Sequence, residues 1–191
     1  MNDDVVALWG RLLRALPGSR LFLKTAQLDE PSMRQSVIER FAAHGVPVER
    51  LLLEGRTPLP DYLASYGRVD IALDPFPYPG GATTTLALWM GVPVVTLAGK
   101  SFLARQGVGL MANAGLADWI ANDTEHYLAI ATSHAGNLDR LASLRVALRP
   151  QVLSSPIFDA ERFARHFADA MRGMWQAWSR RHADRLVSSA P

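Results

Sequence analysis

The feature that most constrains the fold is the stretch VDIALDPFPYPGGATTTLALWMGVPVVTLAG, residues 69–99. An unbroken apolar run leads into a Pro/Gly/Thr turn, then an apolar helix pattern, then a second apolar run. Continuous rather than alternating hydrophobicity is the mark of strands covered on both faces, which is how parallel strands sit. The same rhythm recurs upstream. Val5, Leu8, Trp9, Leu12, Leu13 and Leu16 fall at helical spacing, and short apolar runs follow at residues 20–24 and 51–53. Between these two runs, Glu30-Pro31 opens a helix carrying Met33, Val37, Ile38 and Phe41 that stops at His44-Gly45. Thr57 is the expected N-cap of a further short helix after Pro58. Strands alternating with helices at this spacing predict an α/β domain: a Rossmann-like parallel sheet with helices on both faces. Beyond Gly99 the pattern turns helical, over residues 101–114, 123–135, 138–148 and 159–181. In the last of these, Phe163, Phe167, Met171, Met174 and Trp178 form one stripe. The expected organisation is a single domain over residues 1–182, including the C-terminal helices, and a frayed tail over 183–191.

With 191 residues the chain is long enough for one sizeable core. A net charge of +2 and no basic stripe with interleaved aromatics argue against a nucleic-acid partner. The arginine surplus gathers near the C-terminus. No cysteine is present, which removes disulfides, thiolate chemistry and Cys-ligated zinc and is compatible with a cytoplasmic setting. The acidic Met1-Asn2-Asp3-Asp4 start and the absence of an apolar run of about 18 residues predict neither a signal peptide nor a membrane span.

Ligands of open α/β sheets bind beyond the carboxyl ends of strands, and residues 74–85 occupy such an end. Pro75, Pro77 and Pro79 stiffen the loop, and Gly80 and Gly81 permit close backbone approach. The unpaired amides of a helix beginning at Ala82 or Thr83, with hydroxyls of Thr83, Thr84 and Thr85, suit a diphosphate. A glycine turn with a threonine N-cap and no ligand accounts for the residue types equally well, and neither a dinucleotide fingerprint nor a Walker loop is present. Arg105 and Lys24 are candidate anion contacts, each against a plain structural or solvated role. The histidines His44, His126, His134, His166 and His182 lack metal-ligand spacing, so no metal is expected, and each is assigned to solvated surface. Ser154-Ser155-Pro156 reads as a turn, and Trp9, Trp89, Trp119 and Trp175 as core.

The segment 69–99 resembles the nucleotide-sugar-binding segment of the O-GlcNAc transferase and SPINDLY-like protein O-glycosyltransferases. The resemblance continues through VPVERLLLEGRTPLPDYLASYGRVDIALD, KSFLARQGVGLMANAGLADWIANDTEHYLAIA and LRPQVLSSPIFDAERFARHFADAMRGMW. It implies the C-terminal half of a glycosyltransferase-B fold, binding a UDP-sugar or GDP-sugar at Gly80, Gly81, Ala82, Thr83, Thr84 and Thr85 without a metal cofactor. It also implies that the catalytic residues lie in an N-terminal half absent from this chain. The family reaction is transfer of a sugar to Ser or Thr hydroxyls of an acceptor protein, and an isolated donor half should transfer poorly or not at all. Tyr62 stands where the family often has a histidine near the base, and Leu59 where some members have lysine. Leu86 stands where an acidic residue usually holds the ribose. These departures keep a second expectation alive, a degenerate non-catalytic module with an assembly or regulatory role. In such folds the last helix commonly crosses to the N-terminal half, so its stripe is expected to be partly exposed here or buried by self-association.

Overall fold

The computed structural model describes residues 1–188, with side chains described through His182. The chain begins with α1 (Asp3–Ala15), whose first turn is closed by the Asn2 side chain accepting from the Val5 amide at 2.9 Å. Then come β1 (Leu21–Lys24), α2 (Pro31–Ala42), β2 (Leu51–Glu54), α3 (Leu59–Ser65), β3 (Ala72–Leu73), α4 (Ala82–Trp89) and β4 (Val94–Leu97). The C-terminal part adds α5 (Gln106–Asn113), β5 (Ile120–Ala121), α6 (Thr124–Ala135), α7 (Leu138–Leu153) and α8 (Ala160–Ser188).

All strand pairing is parallel. β1 runs beside β2, with Leu21 opposite Leu51 and Lys24 opposite Glu54. A second ladder has the order β3-β4-β5, with Leu73 opposite Val95 and Leu97 opposite Ala121. Val94, Val95 and Thr96 are successive residues on alternate faces of β4, yet none is more than 1% exposed. Helices therefore cover β4 on both sides, which is why its sequence is apolar without alternation. The core gathers the inner face of α1, Phe41 of α2, Leu88 of α4, Met111 of α5, Trp119 and Tyr127 around these strands.

Most expected elements are present, with differences that have local causes. β5 was not expected and falls between the helices read over 101–114 and 123–135; it is two residues long, too short to show a period, and is held by the Ala98 amide bonding to Ala121 C=O at 2.8 Å. The single helix expected over 101–114 is a 3₁₀ turn at Leu103–Arg105 followed by α5. Thr57 is not the cap of α3: Pro58 takes the N-cap position and no side chain bonds there. α7 continues through Pro150 to Leu153. α8 is helical through Ser188, beyond the expected end at residue 181, while residues 189–191 of the expected tail lie outside the described residues.

Candidate functional site

The loop that joins β3 to α4 is anchored at Asp74. Its amide donates to Val95 C=O at 2.9 Å, continuing the sheet, and its carbonyl accepts the buried Tyr127 hydroxyl of α6 at 3.1 Å. The side chain turns inward and is 4% exposed. Oδ1 accepts the Thr84 hydroxyl at 2.8 Å and the Gly80 amide at 3.2 Å. Burial pushes the Asp74 carboxyl up to about 6, against the opposing pull of Thr84, Thr96 and the Gly80 amide. Oδ2 has no partner with hydrogen-bond geometry, although the Thr96 hydroxyl is near enough to favour the charged form.

The turn itself is shaped by what surrounds it. A Cβ on Gly80 would meet the Thr84 and Thr83 hydroxyls and sit 3.1 Å from Asp74 Oδ1, so only glycine fits. Gly81 is the N-cap of α4, at φ −103° and ψ −83°, and no side chain caps the helix. The first-turn amides of Ala82, Thr83 and Thr84 have no intrahelical acceptor, and the threonines do not supply one. The three hydroxyls have separate fates. Thr83 is exposed, and its carbonyl accepts from Tyr66 Oη at 3.2 Å. Thr84 is buried against Asp74, and Thr85 donates back to Gly81 C=O at 3.1 Å.

An open cleft of about 480 Å³ adjoins this turn. Gly81 and Thr85 form one side and Gln106, Gly109, Leu110 and Asn113 of α5 another, while Pro156, Ile157 and Phe163 close it from the C-terminal segment. The sequence reading missed Gln106, Asn113 and Phe163 as lining residues, because nothing in a helix pattern says which two helix starts face each other. It also missed Tyr66, whose hydroxyl ties α3's end to the turn.

The other expected contacts lie as follows. Tyr62 packs edge-on against Tyr66, with ring centroids 5.6 Å apart and hydroxyls at 3.1 Å. Leu59 is 64% exposed at the start of α3. Arg105 is exposed and donates to Gly99 C=O at 3.3 Å. Lys24 is committed to Glu54 at 3.0 Å; Arg68 and then Lys24 hold that carboxyl below its ordinary range. Leu86 is half-buried in α4.

Two sequence readings are corrected. His134 is not solvated: it is 7% exposed and stacks on Trp119 at 3.8 Å, and burial, more than Asp118, sets its pKa below the ordinary value. Trp175 is not core but 65% exposed, whereas Trp9 and Trp119 are buried and Trp89 is half-buried between Phe158 and Arg149. Ser154-Ser155-Pro156 is a turn, with Ser155 Oγ bonding Val152 C=O. Among the described residues no helix is long and apolar enough to cross a membrane, and no three His, Asp or Glu side chains gather where they could hold a metal.

The family model for glycosyl transferase family 41 matches residues 1–167. This chain belongs to that family. It is 36% identical over 179 residues to a rice protein named probable UDP-N-acetylglucosamine–peptide N-acetylglucosaminyltransferase SPINDLY, covering 93% of this chain and 19% of that one. The tomato protein of the same name is 34% identical over 190 residues, covering 99% of this chain and 20% of its own length. Among solved structures, a single-residue mutant of the Thermobaculum terrenum O-GlcNAc transferase superposes with a TM-score of 0.88 at 38% identity, over 93% of this chain and 34% of that one. The α/β fold with its helical C-terminal end is thus that of part of an O-GlcNAc transferase, and the chain spans about a fifth of the length of these curated relatives.

Proposed function

We propose that this domain is the donor-binding half of an inverting protein O-glycosyltransferase, holding a nucleoside diphosphate sugar but transferring little or no sugar by itself. The observation that carries the reading is the uncapped start of α4. Its first-turn amides have no acceptor, and the turn, tied to Asp74, adjoins an open cleft through Gly81 and Thr85. As the bond from sugar to diphosphate breaks, negative charge grows on the leaving oxygens, and fixed amides stabilise it at no cost in reorganisation. Of the three hydroxyls, that of the exposed Thr83 is left to add to them, since Thr84 bonds Asp74 and the cleft-lining Thr85 bonds Gly81 C=O. The names of the relatives favour UDP-N-acetylglucosamine as the donor and a protein as the acceptor.

Leu86 weakens this site. Where an acidic side chain would hold the ribose hydroxyls, leucine cannot accept, at a cost of roughly 1–3 kcal/mol. Calorimetric titration with UDP, GDP and uridine tests the reading. UDP should bind weakly yet clearly tighter than uridine. An equal response to uridine and UDP contradicts a phosphate-led site.

A second reading, a non-catalytic module that works by assembly, has one observation of its own. No residue of α8 with a described side chain is buried, and Phe163, Phe167, Met171, Met174, Trp175 and Trp178 are each 48% or more exposed. Such a stripe calls for a covering surface: the catalytic half of a longer protein on the first reading, a second copy of this chain on the second.

A further inference from the structure

We infer that Asp74 is a positioning residue for the diphosphate: it fixes the turn over residues 80–84 in a shape that leaves the first-turn amides of α4 without an acceptor in the chain. This rests on the donor-binding reading above and assigns the part of the site that gives it its geometry.

The carboxylate reaches both ends of the turn with one oxygen. Gly80 lies before the helix and Thr84 at its third residue, and both donate to Oδ1, at 3.2 and 2.8 Å. A threonine in a first turn has competing partners, because its hydroxyl can bond back to a carbonyl or serve the local amides. Bonding to Asp74 removes Thr84 from that competition and draws the Gly80 amide inward. The amides of Ala82, Thr83 and Thr84 are left without a side-chain acceptor. Asp74 is itself held on two further sides, by Val95 C=O from the sheet and by the Tyr127 hydroxyl from α6.

The second oxygen extends the control to α5. Gly107 is the second residue of that helix, and a Cβ there would lie 2.6 Å from Asp74 Oδ2. The start of α5 is therefore seated directly on the carboxylate, and Gln106, its first residue, faces Gly81 across the cleft, with Oε1 3.5 Å from where a Gly81 Cβ would stand. One buried side chain thus sets the spacing of the two helix starts that border the cleft. A group serving only to plug the core would be apolar and free of the desolvation cost that Asp74 bears.

The test uses the whole chain and two probes, UDP and uridine, measured by calorimetry alongside thermal unfolding. Asp74→Ala should lower affinity for UDP about tenfold while leaving that for uridine within twofold, and Asp74→Asn, which keeps an acceptor at Oδ1, should recover most of the difference. Thr84→Val should act like Asp74→Ala and Thr84→Ser should restore binding; this pair decides the matter should Asp74→Ala not fold. Folded variants that keep the full preference for UDP overturn the inference, as does equal weakening of both probes, which marks a merely structural residue. A wild-type chain with no preference for UDP overturns the diphosphate reading itself, and is distinguished because no substitution is involved.

Discussion

Two glycines two residues apart on α5 should respond oppositely to the same substitution. A methyl group at Gly107 would stand 2.6 Å from Asp74 Oδ2 and 2.9 Å from Thr96 Cβ, with the Thr96 hydroxyl closer still. None of these atoms is the free end of a flexible side chain. Thr96 is fully buried on β4, and Asp74 is bonded to the sheet, α4 and α6. The helix must therefore move, and overpacking of this kind costs about 3 kcal/mol. Alanine returns about 1 kcal/mol of helix propensity over glycine, so Gly107→Ala should destabilise by about 2 kcal/mol. For a chain of this length that is a fall of roughly 4–8 °C in Tm. Gly109 has nothing within 4 Å of its hypothetical Cβ. There only the propensity gain applies, and Gly109→Ala should raise stability by about 0.5–1 kcal/mol. Differential scanning calorimetry of the two variants checks this directly. Thr96→Ala placed in the Gly107→Ala background should recover at least half the loss, because it removes the nearest of the three atoms. Shifts of the same sign for Gly107→Ala and Gly109→Ala, or a Gly107→Ala protein as stable as the parent, would refute the close seating of α5 on Asp74.

Three further outcomes are expected. Because burial raises the Asp74 carboxyl to about 6, the folded state holds that proton more tightly than the unfolded chain. Its contribution is full below about pH 4, is lost as pH rises to about 6, and is flat above; Asp74→Asn should be more stable than the parent at pH 7 by up to about 3 kcal/mol and should lack this slope in urea denaturation. Leu86→Glu should raise UDP affinity about tenfold by supplying a ribose acceptor, and an unchanged dissociation constant would place the ribose elsewhere. Phe167→Glu with Trp178→Glu should lower the sedimenting mass if a second copy covers α8, and a parent chain that sediments as a monomer at all concentrations removes the self-association reading.

How far the residues alone reached depended on how local each cause was. β4 was legible because Val94, Val95 and Thr96 are buried on both faces and the sequence says so without a period. Pro31 opening α2 and Gly45, at φ +73°, closing it were legible because proline and glycine act through their own backbone. β5 was not, since two residues carry no pattern and its existence depends on β4 offering an edge. The turn at residues 80–85 was found by composition, but its three threonines could not be told apart. What separates Thr84 from Thr83 is the direction of Asp74, ten residues earlier in the chain.

The same limit explains His134 and Trp175, and it carries a general consequence. The stripes of α1 and α8 have the same helical spacing, yet Val5, Leu8, Trp9, Leu12 and Leu13 are buried while Phe163, Phe167, Met174 and Trp175 are more than half exposed. An apolar face states that water should be excluded from it; it does not state by what. For α1 the answer is in this chain, where α2 and α6 pack against it. For α8 nothing among the described residues does so, although the helix carries a clear apolar stripe. That face begins at the cleft, which Phe163 in the first turn of α8 lines, so a partner that covers the start of α8 lies beside the cleft. On the donor-half reading proposed above, the first turns of α8 are then where a covering half of the protein would meet the cleft.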